Sequence, residues 1–242
     1  TTEIYTLSLH DALPISEGGD VSHYVNDLTL KGSTASALEL ATDGLNATGL
    51  VANRLVREPG ATVSFEATNA TLGDGVADLR FLSLDASAAE KGGILPYATL
   101  RGTLGVDLAT DGDTFSTDYQ VAAYPIVFGS YDSDINTPHG NIKLDGTEDL
   151  SALTLAGDND INALLIGGAG YGVTIDLGGH VLGVESGLIV GLGDANVISG
   201  AAGSRLDFNP AAGDSEPLLF VDDGSLEVAA PISANLNMRK EG

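Results

Sequence analysis

Between residues 162 and 231 the chain breaks into short apolar runs set off by Gly, Asn and Asp. The runs occupy 163–166, 173–177, 180–184, 187–190, 196–198, 204–208, 218–221 and 225–228. Their central residues Ile166, Ile175, Leu182, Ile189, Ile198 and Leu206 recur every 7 to 9 residues. Runs this short suit strands rather than helices, and the intervening glycines permit the positive φ of sharp corners. No gap is long enough for a crossover helix. Three such strands with their corners make a coil of roughly 20 to 30 residues, a unit that buries its apolar side only by stacking on its neighbours. The pattern predicts an all-β fold, a right-handed parallel β-helix, the hand being that of parallel crossovers generally.

Composition agrees where it bears on this. The 242 residues include 32 Gly, no Trp and six Phe, so the core must come mainly from Leu, Ile, Val and Ala. There are 34 acidic and 10 basic residues, a formal charge of -24. That surface repels phosphate backbones and argues against nucleic acid as a partner. Cysteine is absent, so disulfides and thiolate chemistry are excluded. No run reaches the roughly 18 apolar residues of a membrane helix, and no membrane insertion is expected of this segment.

Residues 1–16 resemble the translation of a short-read sequencing adapter and are set apart from the fold, together with His10 and Asp11. Without Glu3 and Asp11 the balance is still 32 acidic to 10 basic residues. On this reading both ends of the natural chain are cut, and exposed coil edges favour end-to-end self-association. A single β-helix is expected over 17–238. Its first coils fall in 17–91, an excursion in 92–141, a regular ladder in 142–231 and a tail in 232–242.

In the first part, 27–30 and 37–40 alternate apolar with polar residues, and 61–67 places Val63 and Phe65 on one face. Residues 50–56 continue the series, although their length also allows a short helix. Asp78 and Arg80 belong on the outer face of 78–84. Around 96–125 the rhythm fails: Pro96 interrupts an apolar run, and 104–120, with Asp107, Asp111, Asp113 and Asp118, reads as an outward acidic loop or lateral hairpin.

Several segments together resemble the autotransporter-associated β-strand repeat proteins of bacteria. They are Gly93-Ile94-Leu95-Pro96-Tyr97-Ala98-Thr99, Ile126-Val127, Tyr131-Asp132-Ser133-Asp134-Ile135-Asn136, Asn141-Ile142-Lys143-Leu144, Ile161-Asn162-Ala163-Leu164 and Val173-Thr174-Ile175-Asp176-Leu177-Gly178-Gly179. The resemblance covers about 61–231. It implies a large exported or surface passenger built as a right-handed parallel β-helix, without an assigned reaction.

No residue set signals catalysis. Asp132 and Asp134, two apart, offer a carboxylate pair or cation site, but beside Pro138 and His139 they read as a solvated loop. His180 follows two glycines as a corner residue and has no second ligand at metal spacing. The glycine-rich 167–172 has neither the ligating aspartate of a calcium β-roll nor the helix of a dinucleotide loop. Asn46 and Asn69 open glycosylation sequons. The sequence therefore predicts no catalytic, cofactor or metal residue. It favours a non-enzymatic structural or adhesive scaffold that meets polysaccharide or a neighbouring or host surface, and the family resemblance implies that it is extracellular or on the cell surface. A carbohydrate-active β-helix enzyme or carbohydrate-binding module is the alternative, to be favoured by acidic and basic side chains gathered with an aromatic platform near Asp132 or Asp207.

Overall fold

A computed structural model describes residues 20–32, 35–112, 118–145, 153–168, 172–208, 216–234 and 238–241. The expectations for 1–16, Asp113 and 169–171 lie outside the described residues. The chain divides into two compact units, Thr1–Ser130 and Tyr131–Gly242. Each is a β-solenoid of stacked parallel sheets.

In the first unit, β1 (Val21–Val25), β2 (Leu28–Leu30) and β3 (Ala35–Ala41) form one coil, and β4 (Thr48–Ala52), β5 (Leu55–Arg57) and β6 (Thr62–Thr68) the next. β7 (Ala77–Phe81) and β8 (Ala98–Gly102) belong to a third, with Leu84 bridging to Leu55 between them. Each strand pairs in parallel with its equivalent one coil on, as in Leu50 with Leu79 and Phe65 with Leu100. The pairs Arg54–Asp27 and Lys31–Glu58 tie the outer surface across an interval of 27 residues. The segment 50–56 is two strands and no helix: Asn53 and Arg54 turn the corner between β4 and β5. Its core holds more aromatic bulk than the composition suggests. Phe65 and Phe81 are fully buried with ring centroids 6.2 Å apart, and buried Tyr97 donates to the Ala88 carbonyl.

Within the excursion near 96–125 the described residues form two strands after β8. β9 (Gly105–Asp111) turns back antiparallel on β8, and β10 (Tyr119–Ala123) pairs antiparallel with both β9 and β7. Of the two alternatives for this stretch the hairpin is the one formed, and the outward acidic loop is corrected over β9, which is buried over Val106–Thr110 with Asp107 only 2% exposed. Asp107 stands opposite Leu100 in the ladder, which puts it on the core-facing side, where its carboxylate accepts from the Leu108 N–H. The hairpin occupies the free edges of β7 and β8 and joins two sheets into one of eight strands. At this end of the first unit the edges of β7 and β8 are paired. A five-residue helix follows, α1 (Tyr124–Phe128), opened by Pro125.

The second unit repeats one plan more regularly. Its coils are β11 (Asn141–Leu144), β12 (Leu153–Thr154) and β13 (Asn159–Ile161); β14 (Ala163–Gly167), β15 (Thr174–Asp176) and β16 (Val181–Val184); β17 (Leu188–Leu192), β18 (Asn196–Ser199) and β19 (Arg205–Asp207); β20 (Leu218–Asp222), β21 (Leu226–Val228) and β22 (Ile232–Ser233). β23 (Arg239–Glu241) starts a further turn. Aliphatic side chains stack in register: Leu153, Ile175, Ile198 and Val228 in one column, Ile142, Leu164, Ile189 and Leu219 in another. Ile175, Ile189 and Ile198 are wholly buried, as the apolar period requires.

Polar side chains inside the corners fasten coil to coil. Asn162 Nδ2 donates to Asn141 Oδ1 at 2.7 Å, and Ser186 Oγ donates to the Asn162 carbonyl at 2.6 Å. Asn196, 1% exposed, donates to the Leu192 and Gly193 carbonyls and accepts from the Val173 N–H. Burying these amides costs little because their donors and acceptors are met. Gly167 is obligatory at its corner: it has φ +87°, and a Cβ there would lie 2.1 Å from the Leu192 carbonyl oxygen.

Candidate functional site

The residues singled out by sequence do not form one site. Asp132 is exposed beside β11, where its backbone bridges Ile142. Asp134 is used in a turn, accepting from the Asn136 N–H at 2.9 Å and its side-chain amide at 3.0 Å. They make no carboxylate pair with a shared partner. Asn46 donates to Asp43 within its own turn, while Asn69 donates to the Thr42 carbonyl 27 residues earlier, so one sequon amide serves a local turn and the other joins neighbouring coils.

His139, in contrast, reaches a lateral face of the second unit. The outer side of β13, β16 and β19 carries Asp160, Gly183 and Asp207 in register. Around this column lie Asp158, His180, Glu185 and Arg205. His139 Nδ1 is 2.9 Å from Glu185 Oε1, while its backbone N–H donates to the Asp160 carbonyl at 2.7 Å. His180 Nδ1 stands 3.6 Å from Asp158 Oδ1, and Arg205 Nη2 stands 3.1 Å from Asp207 Oδ2. His180 is a corner residue, as its glycine neighbours suggest, directly before β16.

The electrostatics of this face follow from crowding. Partial burial raises the Asp160 carboxyl above its ordinary range; Glu185 adds to the rise, His139 opposes it, and Asp207 and Asp158 push it further up. A carboxyl held this way keeps its proton to higher pH than an ordinary aspartate does. Among the described residues, no three His, Asp or Glu side chains are grouped to hold a metal ion. Asp160 and Glu185 escaped the sequence reading because they come from different coils. Asp207 was visible as a lone outward acid on its strand.

No family model, curated protein or solved structure matches this chain. No helix among the described residues is long and apolar enough to cross a membrane.

Proposed function

We propose that this chain is a rigid, non-enzymatic scaffold segment of a large secreted or surface-exposed bacterial β-helical passenger, of the autotransporter-associated repeat kind. The observation that carries this reading is where the buried polar groups go. Asn141, Asn162, Ser186 and Asn196 are used in joining one coil to the next, which stiffens the stack without presenting chemistry outward. In this reading the acidic exterior keeps a repetitive β structure soluble and meets extracellular polysaccharide or a neighbouring or host surface. On this reading exposed coil edges favour end-to-end association, seen as concentration-dependent growth in size-exclusion chromatography. Incubation with a panel of neutral and acidic polysaccharides tests the non-enzymatic assignment: no product is expected, and cleavage of any member overturns it.

One observation favours a second reading, a carbohydrate-active or carbohydrate-binding solenoid: the mixed face of Asp160, Glu185, Asp207, His139 and Arg205. If a polysaccharide is bound or cleaved, Asp160→Asn and Glu185→Gln abolish the effect on this reading. Retention of the effect in both variants places it elsewhere.

A further inference from the structure

The hairpin that closes the first unit is held down by carboxylates. The segment 90–95 docks on β9 at three points. Glu90 Oε1 accepts from the Asp111 N–H at 3.0 Å, the Gly93 carbonyl accepts from Thr110 Oγ1, and the Leu95 N–H donates to the Ala109 carbonyl at 2.8 Å. Asp111 passes the connection on, its Oδ1 accepting from the Gln120 N–H at 3.0 Å on β10. Gln120 Nε2 then donates to Asp78 Oδ1 at 2.8 Å on β7, and Asp78 is held by Arg80 at 2.7 Å. One chain of hydrogen bonds thus runs from the 90–95 segment through both hairpin strands to the coil that they cover.

We propose that Glu90 and Asp111 form an acid-tightened latch, which holds the β9–β10 hairpin most firmly across the coil end when a proton sits on Glu90. The two partly buried carboxyls stand at the same end of β9, and while both are charged they repel each other across the point where the hairpin is fastened. A solvent proton on Glu90 relieves the cost of burying its charge, removes that repulsion as well, and leaves an oxygen that still accepts from the Asp111 N–H. Burial lifts the Glu90 carboxyl above its ordinary range; the Asp111 N–H opposes the lift and the Asp111 charge adds to it. Among the described residues Tyr97 also feels the Glu90 charge; its hydroxyl is raised by burial and lies on a ring whose centroid is 4.9 Å from the Arg57 guanidinium. Lys91 adjoins Glu90 in sequence. A raised folded-state value means that the stabilisation is present below the ordinary glutamate range and fades as pH rises through the folded value. Asp85, in the same connection, is lowered by its Ser87 hydrogen bonds and acts in the opposite direction.

The test uses the full chain. Amide exchange at Asp111, Gly112 and Gln120, corrected for intrinsic rates, is followed across the carboxyl range, with the Glu90 side-chain carbon observed by NMR. Protection is expected to increase as Glu90 gains its proton. Glu90→Gln, which keeps the acceptor and lacks the charge, should hold the protected level at neutral pH and remove this component of the pH dependence. Asp111→Asn should bring the Glu90 midpoint down. A Glu90 midpoint at the ordinary glutamate value, a midpoint indifferent to Asp111→Asn, or an unchanged pH dependence in Glu90→Gln each overturns the latch.

Discussion

Ile175 lies inside one of the aliphatic columns of the second unit, fully buried, with Leu153 and Ile198 in register on either side. A graded series at this position measures what the column contributes. Ile175→Val removes one carbon and should cost about 0.5–1.5 kcal/mol, while Ile175→Ala leaves a cavity and should cost about 2–5 kcal/mol. For a chain of this length each kcal/mol corresponds to about 2–4 °C, so the alanine variant should unfold roughly 4–20 °C lower. Ile175→Asp should be worse still, since it forfeits about 1.5–3 kcal/mol of burial and forces a carboxyl to stay protonated or to open the column. Thermal unfolding followed by circular dichroism reads the midpoints. Amide exchange at Val197, whose N–H donates to the Val173 carbonyl beside the column, locates the damage. Ile232, 39% exposed at the end of a neighbouring column, is the internal control, and its alanine variant should cost less than about 1 kcal/mol. An aspartate variant with an unchanged midpoint, or equal losses at Ile175 and Ile232, would refute stacked burial as the source of stability.

Two further perturbations separate the other forces. Asn196→Ala strips partners from the partly buried Leu192 carbonyl and the buried Val173 N–H and should cost about 2 kcal/mol in chemical denaturation, beyond its lost packing. Asp43 accepts from the Leu45 and Asn46 N–H groups and the Asn46 amide, and these bonds lower its carboxyl below the ordinary 3.8, the Asn46 N–H most. The stabilisation is therefore present above that value and is lost as pH falls through the folded value. Asp43→Asn should flatten this part of the acid limb of a stability–pH profile, and an identical limb in both proteins would count against the turn's contribution.

Legibility from sequence followed burial. All eight apolar runs between 163 and 228 are strands, because an aliphatic side chain pointing inward from each short strand is what a coil requires. β13 was invisible: Asn159-Asp160-Ile161 has one apolar residue, and its strand character comes from parallel pairing with β16. The hairpin was one of two alternatives for this stretch, and the burial of β9 was hidden because Asp107 faces the core, where acidity ordinarily signals an outward loop. The hairpin's role in closing two sheet edges is a non-local fact that no run of residues announces. The Asp160–Asp207 face was hidden for a related reason. Successive coils differ in length, with hydrogen-bonded partners 21 residues apart at Asn141–Asn162 and 30 at Ala195–Ser225, so outward residues cannot be aligned by counting.

Parallel stacking also sets the electrostatics of the exterior, because every outward residue lies near its equivalent on the next coil, about 4.8 Å away along the stack. In the first unit Glu39 stands over Glu66, and Arg101 occupies the following step of that column. Thr68 donates to the Glu39 carboxylate, which gives that charge a partner within its own neighbourhood. Arg101→Glu would instead build three successive acidic steps. Unit charges at about 4 Å interact by about 1 kcal/mol in water, so turning attraction into repulsion beside Glu66 should cost roughly 1–2 kcal/mol at low salt. Raising the salt to about 1 M shortens the screening length to about 3 Å and should return most of that loss, while Arg101→Gln should fall midway at low salt. A loss of equal size at both salt concentrations would mean that Arg101 acts through the packing of its alkyl stem rather than its charge. Acidic columns would then be limited by side-chain contact, and the net charge of -24 would place no limit on how many coils can stack.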